Sequence, residues 1–210
     1  MDRRQFINGV SYGLLSLGLA GCGFKLPGLG DAGNGPNAAA QERTSPQNAK
    51  TDSMLIAYFS KTGNTREIAN QIHANVGSDL FEIKTVDPYP VDYNATTEQA
   101  KREQESNYRP KLTATVPNMA AYDVVFLGYP NWWGTMPMAL FTFLEGYNFS
   151  GKTIIPFCTH EGSRLGRSVS DLRQLCPQAN ILDGLAVRGS SVRNAQNDVA
   201  TWLRQIGMVK

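Results

Sequence analysis

Three short stretches concentrate the side chains that can bind or react. The first, Ser60-Lys61-Thr62-Gly63-Asn64-Thr65, offers three hydroxyls and a glycine directly ahead of a helix-like pattern. Free amides at a helix start, with hydroxyls and a close backbone, make a site for a phosphate. Ser, Thr and Asn also favour helix starts for their own sake, so a plain capped turn is the competing reading. The spacing is neither GxxxxGK[ST] nor GxGxxG. The second stretch, Gly128-Tyr129-Pro130-Asn131-Trp132-Trp133-Gly134-Thr135-Met136-Pro137, sets two adjacent indoles where the chain leaves a strand. Adjacent side chains do not share a face, so one ring is expected outside the core or over a flat ligand, unless both plug the core's end. The third, Thr159-His160-Glu161-Gly162-Ser163, supplies amides and hydroxyls for a polar edge. Its His160 is either solvated or a proton donor near neutral pH.

The elements that must position these stretches alternate regularly. Met54–Phe59 is a continuous apolar run, as in a strand covered on both faces. Ile68, Ala69, Ile72 and Val76 follow at helical spacing, with Gly77 placed to stop the helix. Further strands are expected at Leu80–Lys84, Val124–Gly128, Thr153–Cys158 and Ile181–Val187. Further helices are expected at Thr96–Ser106, at Pro137–Glu145, along Leu165, Val169, Leu172 and Cys176, and along Val199, Trp202, Leu203 and Ile206. Five strands alternating with helices predict a three-layer α/β domain on a parallel sheet. Pro156, inside an inner strand, predicts a bulge at that point. In such a sheet ligands bind beyond the carboxyl ends of the strands, where all three stretches fall. A phosphate at the first and a flat ring between the other two describe flavin mononucleotide, FMN.

Ahead of this domain, expected over residues 53–210, lie two regions of another kind. Residues 1–23 read as an export signal: Arg3-Arg4-Gln5-Phe6, a weakly apolar stretch from Ile7 to Ala20, then Leu19-Ala20-Gly21-Cys22. The apolar stretch falls short of the roughly 20 residues of a membrane-spanning helix. Residues 24–52 are rich in Gly, Ala, Asn, Pro, Gln and Ser and read as a flexible linker. The chain carries 20 Lys and Arg against 18 Asp and Glu, a net +2, with no basic stripe to suggest nucleic acid. Cys158 and Cys176 sit at opposite ends of one helix-length segment, too far apart for a disulfide, and read as core residues.

With these motifs in hand, residues 54–210 resemble the flavodoxin-like proteins, and more narrowly those with a Gly-Tyr-Pro-x-Trp-Trp-Gly loop. Tyr89-Pro90 with Tyr93, Tyr122-Asp123 and Gly151-Lys152-Thr153 add to the likeness. The resemblance implies a five-stranded sheet in the order 2-1-3-4-5 and FMN as cofactor. It places the phosphate on Ser60, Lys61, Thr62, Gly63, Asn64 and Thr65. The ring falls between Pro130, Asn131, Trp132, Trp133 and Gly134 on one side and Thr159, His160, Glu161, Gly162 and Ser163 on the other. Asn131 stands where an apolar residue is usual, and Glu161 where glycine is. Leu19-Ala20-Gly21-Cys22 resembles the lipobox of bacterial lipoproteins, which implies an exported chain tethered to a membrane by lipid on Cys22; a signal cleaved without lipidation is the alternative.

Two functions follow from the sequence. One is an FMN redox protein that transfers electrons or reduces a small acceptor such as a quinone, its chemistry supplied by the flavin. The other is an exported, non-catalytic flavin- or ligand-binding module. No motif specifies the electron donor or acceptor.

Overall fold

The computed structural model describes residues 53–210; the export signal, Cys22 and the linker lie outside the described residues. Strand β1 (Met54–Tyr58) opens the domain, followed by α1 (Asn64–Val76), β2 (Asp79–Glu82), α2 (Tyr93–Glu105), β3 (Val124–Pro130) and α3 (Met138–Glu145). Then come β4 (Thr153–His160), α4 (Ser168–Leu175), β5 (Asn180–Ile181), β6 (Leu185–Arg188) and α5 (Gln196–Gln205). The strands run parallel in the order β2-β1-β3-β4-β5, with β6 also paired to β4. This is the expected α/β architecture and order.

Alternation within each strand divides the core into two layers, because successive side chains point to opposite faces. Leu55, Ala57, Val125, Leu127, Tyr129 and Ile154 pack with Leu140 and Phe143 of α3 and Leu172 of α4. Ile56, Tyr58, Phe126, Ile155 and Phe157 pack on the other face with Ile68 and Ile72 of α1 and Val199 and Leu203 of α5. Both faces are covered, which explains why the strands read as unbroken apolar runs. Helix α1 ends at Gly77 in the left-handed conformation, its N–H donating to the His73 carbonyl at 2.9 Å. Pro137 stands one residue ahead of α3 with φ −57°, as its cap rather than its first residue.

Two expectations are corrected. Strand β4 runs through Pro156 without a bulge, in register with β3, and extends past Cys158 to His160. The irregularity falls on the neighbouring edge strand. Ile154 pairs with Ile181 and Phe157 with Leu185, so three edge residues stand opposite two of β4. The Ile154 carbonyl accepts from Leu182 N–H at 3.1 Å, and Pro156, two residues on, faces the same neighbour without a donor. The edge strand therefore parts there, splitting the single expected strand Ile181–Val187 into β5 and β6. Gly184 crosses the gap, where a Cβ would lie 2.9 Å from the Pro156 carbonyl oxygen.

Cys158 and Cys176 are unpaired and buried, as expected. Burial pushes the Cys158 thiol up to about 12 and the Cys176 thiol up to about 11, so neither is a ready nucleophile. Among the described residues no helix is long and apolar enough to cross a membrane.

Candidate functional site

The first turn joins β1 to α1 and is built around Gly63, whose φ of +92° belongs to glycine. Gly63 is also the residue that caps α1, and it brings no side chain to the task. The first amides of a helix have no intrahelical acceptors. Here a side chain serves only the Arg66 amide, through Ser60 Oγ at 3.2 Å. Thr65 is turned inward: buried, its hydroxyl hydrogen-bonds the Thr159 hydroxyl at 2.9 Å. That bond ties the first turn to the third and engages the Thr65 hydroxyl. Arg66 is engaged in an ion pair with Glu82 and lends little free charge.

In the second turn the two indoles have different surroundings. Trp132 is half-buried against Phe59 and Tyr89, with ring centroids 5.5 and 5.0 Å away and edge-on geometry. Trp133 is 50% exposed. One ring thus closes the end of the core while its neighbour stands outside it. Trp132 and Thr135 exchange backbone hydrogen bonds of 2.8 and 3.1 Å, which closes the turn tightly. Asn131 accepts from the Gly134 amide at 3.1 Å and donates to the Arg164 carbonyl at 2.7 Å. A polar residue here, unlike an apolar one, bolts the second turn to the third.

Thr159 and His160 belong to the end of β4 rather than to the turn after it. His160 Nδ1 is buried and has no hydrogen-bond partner within the protein. Desolvation, then the charges of Arg164 and Arg188, hold the imidazole below its usual range, while Glu161 opposes them. Because the folded value lies below 6.5, the unfolded chain binds more protons between the two. The contribution to stability is full above that window and declines as pH falls through it. An NMR titration of His160 is expected to give a midpoint below 6.5, raised by Arg188→Gln and lowered further by Glu161→Gln. An unchanged midpoint in both variants would show that these charges do not reach the ring.

The turns enclose a cleft of about 290 Å³ at the carboxyl ends of β1, β3 and β4. Thr62 and Asn64 line it from the first turn, Pro130, Asn131 and Trp132 from the second, and Thr159, His160, Glu161, Gly162 and Ser163 from the third. Ser60, Lys61, Gly63, Thr65, Trp133 and Gly134 support or flank this lining without forming it. Three residues not anticipated as binding residues also line it: Tyr93 and Thr97 from the start of α2, and Gly189 after β6. Their signal was faint. Asp92, which accepts from the Ala95 amide at 2.8 Å, marks where α2 starts and so places Tyr93 at its first turn. At Gly189 a Cβ would come within 2.4 Å of Glu161 Oε1 and 2.8 Å of Asn64 Nδ2. Wider hollows of about 650 and 610 Å³ lie elsewhere, one by Met54, Gly77 and Tyr122 and one by Gly184, Leu185 and Trp202. Neither contains a residue of the first two turns. Among the described residues no cluster of His, Cys, Asp and Glu is suited to a metal.

A cleft at the point where the sheet's winding reverses, between β1 and β3, where sheets of this kind bind their ligands, is the decisive geometry. The flavodoxin family model matches residues 53–206. The chain belongs to the flavodoxin family. It is similar to a candidate flavoprotein from Bacteroides eggerthii, at 35% identity and a TM-score of 0.67, over 76% of this chain and 100% of that one. A second, from Bacteroides uniformis, is 30% identical with a TM-score of 0.66, over 74% and 99%. A flavoprotein from Lactobacillus acidophilus, solved in complex with FMN, shares the fold at 23% identity and a TM-score of 0.55, over 70% and 99%. No curated protein matches the sequence. In this member of the family residues of all three turns line one cleft.

Proposed function

We propose that this flavodoxin is an FMN-binding redox protein that transfers electrons or reduces a small acceptor such as a quinone. The observation that carries the reading is the cleft itself. It joins a helix start whose cap residue, Gly63, brings no side chain, to a flat indole wall and a polar third turn. These parts fit a phosphate at one end and a flat heteroaromatic ring at the other. The Lactobacillus acidophilus flavoprotein solved with FMN has this fold and supports the choice of cofactor.

The residues then have distinct duties. Thr62, Asn64 and the open amides of α1 would hold the phosphate. Trp132, braced by Phe59 and Tyr89, would present a fixed apolar wall to the ring, and Asn131 would keep the opposite wall at its distance. The amides of Gly162 and Ser163 would meet the ring's polar edge. When bound, the flavin supplies reversible electron and proton chemistry. His160, with an unpartnered buried Nδ1, would hold or release a proton at that atom. Glu161 places negative charge in the same cleft and would disfavour an anionic reduced ring.

The reading extends to the cell. Arg3-Arg4 and the apolar stretch support export, and Leu19-Ala20-Gly21-Cys22 supports a lipid on Cys22 that holds the domain at a membrane surface. Mass measurement of the mature N-terminus tests this directly, because lipidation begins the chain at Cys22.

The full-length protein is expected to be yellow, with FMN released by acid. Thr62→Ala is expected to weaken FMN binding roughly tenfold or more, the loss of one hydrogen bond to a charged group. A colourless protein that stays colourless after incubation with FMN would overturn the reading and leave the fold as a non-catalytic binding module.

A further inference from the structure

We propose that Glu103 of α2 is a positioning residue for the aromatic wall of the cleft, acting on Trp132 through Tyr89. The inference rests on the redox reading above and names the residue that holds the wall in place. Neither Glu103 nor Tyr89 lines the cleft. Glu103 is nonetheless an unfavourable residue where it stands. It is buried, and among the described residues no lysine, arginine or histidine forms an ion pair with it. A buried carboxylate without a cation is destabilising unless hydrogen bonds replace the water it has lost.

Those bonds lead towards the cleft. Tyr89, itself buried, donates its hydroxyl to Glu103 Oε2 at 2.5 Å, and Gln99 Nε2 donates to Oε1 at 2.8 Å. A hydroxyl donating to a carboxylate makes a bond roughly twice as strong as a neutral one. Burial, and then the bond to Glu103, push the Tyr89 phenol well above its ordinary value, so it keeps its proton and remains the donor. The Tyr89 ring centroid lies 5.0 Å from that of Trp132, with the planes 79° apart, and 5.6 Å from that of Phe59. Phe59 in turn stands 5.5 Å from Trp132, so the three rings form a closed edge-to-face triangle.

Within that triangle only Tyr89 is tied down by a polar atom. Trp133 donates its indole N–H to the Thr97 carbonyl at 2.9 Å, and Trp202 donates to the Asp183 carbonyl at 3.0 Å. The indole N–H of Trp132 has no such partner among the described residues, so its ring is placed by its neighbours alone. Helix α2 depends on the same carboxylate. Its buried residues are Thr96, Ala100 and Glu103, with no large apolar side chain among them. The bond that steadies Trp132 therefore also seats the helix that brings Tyr93 and Thr97 to the cleft.

Fluorine NMR of the flavin-free full-length chain labelled with fluorotryptophan tests the assignment, with Trp132→Phe identifying the signal. Ring currents from Phe59 and Tyr89 set the Trp132 signal apart from that of exposed Trp133. Trp202, packed on Phe126 in the other layer, is the internal control. Glu103→Leu and Tyr89→Phe are each expected to move the Trp132 signal towards the exposed position and leave that of Trp202 in place. Each is also expected to weaken FMN binding about three- to tenfold. Glu103→Gln, a neutral acceptor of the same shape, is expected to fall between them and wild type. In the Tyr89→Phe, Glu103→Leu double variant neither partner is left orphaned, so the urea midpoint lost in Glu103→Leu should recover. The Trp132 signal and FMN affinity should not. Recovery of all three together assigns the pair to stability alone and overturns the inference. So does a Trp132 signal unmoved in Tyr89→Phe, or FMN affinity equal in every variant. A chain that shows the expected signals but takes up no FMN, wild type included, keeps Glu103 as the residue that places Trp132 and overturns the flavin reading.

Discussion

Gly166→Ala is expected to lower FMN affinity by roughly a hundredfold and stability by about 2–5 kcal/mol. Gly166 has φ +55°, and a Cβ there would lie 2.2 Å from the Gly134 carbonyl oxygen and 3.0 Å from Asn131 Nδ2. Two penalties combine: a left-handed alanine costs about 1–2 kcal/mol, and overpacking typically about 1–3 kcal/mol. The atom in the way is backbone, so a rotamer change gives no relief. The third turn must move off the second. That movement breaks the Arg167 N–H to Gly134 carbonyl bond of 2.8 Å and the Asn131 bond to Arg164. Both bonds set the distance between the two walls expected to hold the ring, so the damage reaches binding as well as stability. Gly162, four residues earlier, is the control for stability. A Cβ there meets nothing within 4 Å and its φ is not positive, so Gly162→Ala is expected to shift stability by no more than about 0.5 kcal/mol. Urea unfolding of the two variants decides the matter. Equal midpoints would mean that the close approach at Gly166 is not a constraint on the fold.

The same contact shows what the sequence could and could not convey. The strands were legible because both faces of the sheet are covered, which leaves runs such as Val124–Leu127 without polar interruption. Helix α1 was legible from its spacing and from Gly77. The three turns were legible as turns of chemical interest because local composition marks them. Contacts between turns leave no such trace. Nothing in the residues around Thr65 indicates that its hydroxyl faces that of Thr159, 94 residues away. Asn131 reads as a departure from an apolar position until Arg164 is seen opposite it. Pro156 correctly signalled a missing ladder donor, but which neighbour would yield depends on which side of β4 its backbone faces. A one-dimensional pattern does not hold that information. Tyr93 and Gly189 reach the cleft only through the packing of α2 and the return of β6, so their membership is a property of the assembled sheet.

Gly128→Ala is expected to be the most damaging single-methyl change in the sheet, at about 3 kcal/mol or more. Gly128 and Phe157 are register partners on β3 and β4, and the Phe157 ring lies directly over the glycine. A Cβ at Gly128 would stand 2.2, 2.5 and 2.8 Å from three atoms of that ring. Phe157 is fully buried in the layer shared with Phe126 and α5, so its ring has no empty space to enter. The explanation makes a sharper demand than instability alone, since it assigns the cost to one pair of residues. Phe157→Ala by itself is expected to cost about 3–5 kcal/mol through the cavity it leaves. In the double variant the alanine methyl at 128 enters part of that cavity and the clash is gone. The combined cost should fall short of the sum of the two single costs by about 1–3 kcal/mol, the range of coupling for residues in direct contact. Strict additivity in urea unfolding would mean that the ring does not lie over Gly128. The consequence reaches the cleft, because Gly128 is followed directly by Tyr129, Pro130 and Asn131. With β3 displaced by the methyl, Trp132 loses its seat against Phe59 and Tyr89. FMN uptake should therefore fall in Gly128→Ala and recover in part in the double variant.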